Sequence, residues 1–304
     1  MLLVVGESLT DRVIALDGTS SDHAGGGPFN SARTIGRLGR EVGLVTVIGA
    51  DERGAECVRL LVESGVDVSY VRQIDLPTTL ALATLDASGA ATYVFDFETS
   101  AARHLERLDL PVGTTFLHVG TLALVLEPFA TAVENAIASL PDEVALLVDP
   151  NCRPTVVHDA AAFIGHVRAD LARADVVKLS DDDFAYLRSL DPTFPTPEEL
   201  IENGASCVLF SRGATGVEVY GPWGQELVAA PRVVVADTVG AGDSLSGAFV
   251  AWCDEAGLHR RDLRNREVVV AAARYAVRVA AITVSRAGAN PPTTADVEAF
   301  DFRY

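Results

Sequence analysis

A mostly parallel β-sheet sandwiched by helices, with a small β-sheet lid, is the fold class this sequence predicts. Short, continuous apolar runs recur along the chain, segments of helical spacing separate them, and two stretches break that rhythm with alternating residues. Strands that are apolar throughout and joined by helices belong to a parallel sheet covered on both faces.

The first run, LLVVG, has β-branched residues and a glycine stop, as a buried strand does. NSARTIGRLG carries apolar and small residues at helical spacing and ends in glycine. EVGLVTVIGAD is again a strand and ERGAECVRLLVESG a helix. The alternation continues through TFLHVG, EPFATAVENAIASL, EVALLVDP, AAFIGHVRADLARA, DVVKLS and SCVLFSRG, then RVVVADTVG and its helix. The interrupting stretches are DRVIALDGTSSDHAGGG and the segment from VSYVRQ to DFETS, whose DASGA turn suggests a hairpin or meander. With no repeat and no long linker, residues 1–304 read as one domain, its lid formed by about 11–24 and 70–100. That outgrowth is expected to act as a lid, a decorative edge sheet or the contact of a homodimer.

Composition narrows the function. A formal charge of −18 argues against nucleic acid or an anionic membrane as partner, since both need a basic surface. Lys178 is the single lysine and VVKLS is not GK[ST], which excludes a P-loop. Cys57, Cys152, Cys207 and Cys253 form no CxxC pair and read as buried free thiols. The start has no basic region before its apolar run, and no apolar run is membrane-spanning in length, so the cytoplasm is the expected location.

Chemistry concentrates in DTVGAGDSLSGAF. Gly240, Ala241 and Gly242 leave backbone N–H groups unobstructed where a helix begins near Asp243 or Ser244, which makes an anion site. Asp243 is then either an N-cap or a general base beside that site. The GAG stretch lacks the third glycine of a dinucleotide fingerprint, and too little chain follows it for that fold. In AGGGPFNSA the glycines allow close approach to a polar ligand, and Asn30 offers donor and acceptor or caps its helix. Glu7 and Asp11 follow the first strand, where α/β sheets bind ligands, and suit hydroxyl recognition. Asp149, Asn151 and Arg153 follow a later strand in the same way. KLSDDD either helps hold hydrated magnesium or starts a helix, and SRGATG lies along phosphate or ribose or is a hairpin turn.

In this order the motifs resemble the ribokinase-like (PfkB) family of sugar kinases over nearly the whole chain. DTVGAGDSLSGAF matches the family's D-T-x-G-A-G-D signature, and GGGPFNSARTIGRLG matches its glycine-rich turn running into N-x-A and R-L-G. The resemblance implies an α/β sandwich with a β-lid and phosphoryl transfer from ATP with Mg2+. Asp243 would be the base, with Gly240, Ala241 and Gly242 as the anion hole. Asp11, Gly26, Gly27, Asn30, Asn151 and Arg153 would hold the sugar. Lys178, Ser211, Gly213, Gly216, Gly288 and Asn290 would lie on the nucleotide side. Asp237 would bind a monovalent cation such as K+, and Asp183 closes the family's N-x-x-E magnesium motif, here Ser180-Asp181-Asp182-Asp183.

GESLTD, DPNCR and SRAGANPP look most like the bacterial fructokinase branch. Glu98 stands near the place where members acting on fructose or 2-keto-3-deoxygluconate carry arginine. An acid there would repel a sugar acid, which disfavours 2-keto-3-deoxygluconate and weakens fructose itself. Fructose remains first, with ribokinase, 2-keto-3-deoxygluconate kinase and nucleoside kinase as alternatives within the family. A non-catalytic sugar or nucleotide sensor is the alternative of another class.

Overall fold

Which strands sit in the middle follows from which are apolar on both faces. The computed structural model describes residues 1–14, 18–85 and 91–303. The first half contains β1 (Leu2–Val5), β2 (Leu9–Ile14), β3 (Ser20–Gly25), α1 (Gly27–Arg37), β4 (Val42–Gly49), α2 (Glu52–Glu63), β5 (Val66–Asp67), β6 (Val71–Ile74), β7 (Leu80–Leu85) and β8 (Ala91–Phe95). Then come β9 (Phe116–Gly120), α3 (Phe129–Ala138), β10 (Ala145–Asp149), α4 (Ala160–Leu171), β11 (Val176–Ser180), α5 (Asp181–Leu190), α6 (Pro197–Glu202) and β12 (Cys207–Ser211). The chain closes with β13 (Gly216–Gly221), β14 (Gly224–Ala229), α7 (Ala241–Glu255), α8 (Arg266–Val284) and α9 (Thr294–Ala299).

The large sheet has the order β14-β13-β12-β11-β10-β9-β1-β4-β5, with β6 also on β4. From β5 to β12 every neighbouring pair is parallel, and only β12–β13 and β13–β14 are antiparallel. β1, β4, β9 and β10 are buried along their whole length, which explains their unbroken apolar sequences. One core packs α1, α7 and α8 on one face of the sheet, and another packs α3, α4 and α5 on the other.

From β1 the chain steps to β4 on one side and later to β9 on the other. That reversal opens a crevice at the carboxyl ends of β1 and β9. α1 enters it from a glycine N-cap (Gly26) and holds its place through Gly36. A Cβ on Gly36 would lie 2.2 Å from Ser64 O. Gly36→Ala is therefore expected to cost about 1–3 kcal/mol of stability, read as a lower urea midpoint. An unchanged midpoint would mean that α1 can shift without cost.

The stretches expected to form a lid make a separate four-stranded sheet, β3-β2-β7-β8. This sheet corrects the expected boundaries, because Val71–Ile74 pairs with β4 of the large sheet instead. It is also mixed rather than wholly antiparallel, since β2 and β7 run parallel. The DASGA turn at 86–90 lies outside the described residues.

RVVVADTVG is not a strand. Val234, Val235 and Val239 are 88%, 58% and 47% exposed. The segment runs over the surface, tied by Arg232 N to Arg303 O and by Ala236 N to Val284 O. Its place at the sheet edge is taken by the β13–β14 ribbon, whose first turn is SRGATG, so the hairpin reading of that motif holds.

Candidate active site

Two helix N-termini meet at the crevice. α7 starts at Ala241, earlier than the sequence indicated, and its N-cap is Gly240 at φ 77. That φ belongs to the left-handed region, where glycine carries no Cβ penalty. Ser244 N donates to Gly240 O and Ala241 N to Thr238 O at 3.3 Å. Among the described residues nothing accepts from the Gly242 and Asp243 amides, which are the orphan donors of a helix start.

Asp243 is not the N-cap. Its Oδ2 accepts from Asn30 Nδ2 at 2.9 Å and its Oδ1 from Asn151 Nδ2 at 3.3 Å. Burial raises its pKa, against the pull of Asn30, Arg153, Lys178 and Asn151. Ser31 Oγ donates to Asp243 O, joining α1 to α7. Asn30 Oδ1 is buried without a protein partner, an unusual state for a buried acceptor.

Close approach of the elements explains the first motif. A Cβ on Gly27 would meet Thr121 Oγ1 at 2.4 Å and Asn151 Nδ2 at 3.0 Å, and one on Gly26 would meet Glu7 O at 2.6 Å. Glu7, at the wall of the cavity, clamps two backbone segments. At 1% exposure, its oxygens accept from Gly27 N at 3.0 Å and Leu122 N at 3.1 Å. Burial nevertheless pushes it up to about 8.

Asn151 at φ 38 and Thr121 at φ 55 hold strained backbone beside Asp243. Thr121 carries only a weak sequence signal, its place just past the glycine that ends β9. Arg153 donates to Asn151 Oδ1 at 2.9 Å, which orients the amide so that its NH2 faces Asp243 and Thr121. Asp11, Gly26, Gly27, Asn30, Asn151, Arg153 and the Gly240–Asp243 turn share one cavity of about 650 Å3, together with Phe95 of β8 in the small sheet. Glu98 lies outside it, 85% exposed and paired with Arg103 at 2.7 Å. The expectation that Glu98 repels a sugar acid therefore has no structural basis.

The remaining site residues divide. Gly213 (φ 48) and Gly288 (φ 66) have open space around them, whereas Gly216 is buried, and a Cβ there would lie 2.1 Å from Val228 O. Ser211 donates to Leu179 O at 3.4 Å. Asp237 accepts from Val239 N and Gly288 N, both at 3.0 Å, tying the turn before α7 to the loop that holds Asn290. Asp183 caps its own helix: its oxygens accept from Cys152 N, Ser180 N and Ser180 Oγ in a capping box that starts α5. Lys178 is not on an open nucleotide surface either. It is 3% exposed and donates to Asp149 Oδ1 at 3.2 Å beneath α7.

Free helix-start amides beside a buried carboxylate, in a cleft next to the small sheet, make a site of the group-transfer class. Comparison with known proteins gives the family. The chain belongs to the pfkB family of carbohydrate kinases, whose description matches residues 1–296. It is 31% identical to a fructokinase of Rhizobium leguminosarum bv. trifolii over 83% of this chain and 79% of that one. It is 29% identical to the Escherichia coli fructokinase over 94% of each. Among solved structures, the Xylella fastidiosa fructokinase with bound ATP superposes with a TM-score of 0.86 at 24% identity, covering 98% of this chain and 96% of that one. The Salmonella enterica aminoimidazole riboside kinase gives 0.84 at 22% identity, covering 98% of each. These two likenesses establish the ribokinase-like fold.

Proposed function

We propose that this carbohydrate kinase transfers the γ-phosphoryl group of ATP to a hydroxyl of a neutral sugar, with fructose as the first candidate. The observation that carries this reading is Asp243, held by two amide side chains next to the unpaired Gly242 and Asp243 N–H groups. A sugar hydroxyl between Asp243 and the phosphate would lose its proton to the carboxylate as the helix-start amides take up phosphoryl charge. The orphan Asn30 Oδ1 supplies an acceptor for another sugar hydroxyl. Asp11 and Asp243 outnumber Arg153 around the cavity, which favours a neutral sugar over a sugar acid on grounds independent of Glu98. The fructokinase names of the relatives support fructose, and a Vibrio cholerae fructokinase crystallised with fructose, ADP and calcium shares the fold at a TM-score of 0.83.

Magnesium would come with the nucleotide. Among the described residues no group of three His, Cys, Asp or Glu side chains is arranged to hold a metal ion. Phosphate oxygens and water would complete its shell, as Mg2+ prefers. Asp237, whose carboxylate accepts from Val239 N and Gly288 N, would be the residue to hold a monovalent cation such as K+.

Asp11 sets a pH dependence. Burial pushes it up to about 6 against Arg153 and His23. Above that pH the ionised carboxylate accepts a sugar hydroxyl; below it the protonated group does so poorly. The sugar KM is expected to rise as pH falls through about 6, by roughly 10–100-fold when protonation is complete, the worth of a hydrogen bond to a charged group. Asp11→Asn should give a raised KM at pH 8; a KM there equal to that of the unsubstituted protein would remove Asp11 from the sugar site. The reading as a whole is tested by ADP release from ATP and Mg2+ over fructose, ribose, 2-keto-3-deoxygluconate, adenosine and tagatose. Fructose is expected to stimulate most. ATP binding without stimulation by any of them would favour the sensor alternative.

A further inference from the structure

The only lysine of the chain sits in β11, a buried central strand, where an ammonium is costly unless it is paired. Its Nζ lies 3.2 Å from Asp149 Oδ1 and 3.9 Å from Asp183 Oδ2. Above it is the first turn of α7: a Cβ built on Gly242 would come within 3.1 Å of Nζ. Asp149 in turn accepts from Ser246 Oγ at 3.0 Å, so the lysine–aspartate pair ties β10 and β11 to α7 just behind its N-terminus. The electrostatic neighbours of Lys178 are Asp149 and Asp183 on the sheet side, Asp243 on α7 and His118, which burial and Lys178 keep neutral. Three carboxylates thus gather around a turn suited to receiving negative charge, and among the described residues Lys178 is the one cation that faces all three, Arg153 acting on Asp243 from the cavity side.

We propose that Lys178 is a positioning residue for phosphoryl transfer, its ammonium offsetting the carboxylates beneath the Gly240–Gly242 turn so that the turn accepts charge developing on the transferred group. This rests on the kinase reading above. The side chain touches neither sugar nor nucleotide; it acts through the α7 turn. Gly242 is small for a second reason here, since a side chain at that position would press on the ammonium.

The test begins with fructose-dependent ADP release by the unsubstituted protein, whose absence would count against the kinase reading and not against this one. Lys178→Met should then lower kcat about 10–100-fold per folded molecule, with the sugar KM within about threefold, because the sugar-side groups are untouched. Removing one carboxylate as well, in Lys178→Met/Asp149→Asn, should recover at least about fivefold of the lost kcat. A kcat within twofold of the unsubstituted protein in Lys178→Met, or no recovery in the double variant, would overturn the proposal.

If the variants do not fold, the unsubstituted protein decides. With 15N-lysine labelling, a sole lysine gives one Nζ resonance. It should report an ammonium and shift when ADP, aluminium fluoride and fructose bind together, but much less with ADP alone. A resonance indifferent to the fluoride complex would overturn the proposal.

Discussion

Asp243→Asn is expected to lower kcat by about 10²–10⁴-fold while leaving ATP affinity within about threefold. The replacement keeps the volume of the side chain but removes its ability to take a proton. It also spoils one hydrogen bond, because Asn30 and Asn151 both present NH2 groups to this residue and an amide has only one oxygen to offer. The stronger contact, with Asn30 at 2.9 Å, should keep the oxygen, and the Asn151 side should open. Turnover measured alongside calorimetric ATP binding separates the two effects. A variant that turns over within tenfold of the unsubstituted protein would remove Asp243 from the role of base.

Gly240→Ala is the second large effect, and its cause is backbone geometry. At φ 77 an L-residue costs about 1–2 kcal/mol. The added methyl would also stand 2.8 Å from Ala289 Cβ and 3.2 Å from Ala289 Cα. The turn must move to relieve this contact, carrying the Gly242 and Asp243 amides with it. Displacing positioned groups by around 1 Å costs on the order of 10²-fold in rate, so a drop of about 10–100-fold in kcat is expected, with stability lower by about 1–2 kcal/mol. Ala289→Gly in the same chain removes the collision but not the strained φ, and should restore part of the rate. If Gly240→Ala alone keeps full kcat, the position of the turn does not control the reaction.

The sheet was legible because burial on both faces leaves an unmistakable mark: β1, β4, β9 and β10 are apolar at nearly every position. The same rule misled at Val233–Val235, where a β-branched run lies on the surface, because composition alone does not say whether a partner strand is available. The antiparallel ribbon that occupies this edge pairs a largely buried strand, GVEVYG, with a largely exposed one, GQELVA, whose polar residues hide the strand signal.

Within the site, the glycines and Asn30 stood out through their motifs, and the structure brings Asp11, Asn30, Asn151, Arg153 and Asp243 to one cavity. Three assignments could not be read from spacing. Glu7 is turned inward to two backbone amides, Asp183 folds back onto its own helix cap, and Glu98 is drawn out of the cleft by Arg103. Each is a carboxylate whose direction is decided by the donors around it, which its place in a motif does not reveal. Lys178 is the same case with the sign reversed, since its partner Asp149 is 29 residues away in sequence.

The most direct measurement is a 31P NMR time course of ATP, Mg2+ and fructose with the unsubstituted protein and with Asp243→Asn. Loss of the γ-phosphate resonance matched by equal growth of ADP and a sugar phosphomonoester, and abolished by the substitution, is the predicted result. Inorganic phosphate in place of the sugar ester, or ester formed equally fast by the Asp243→Asn protein, would contradict the assignment of this site to phosphoryl transfer onto a sugar hydroxyl.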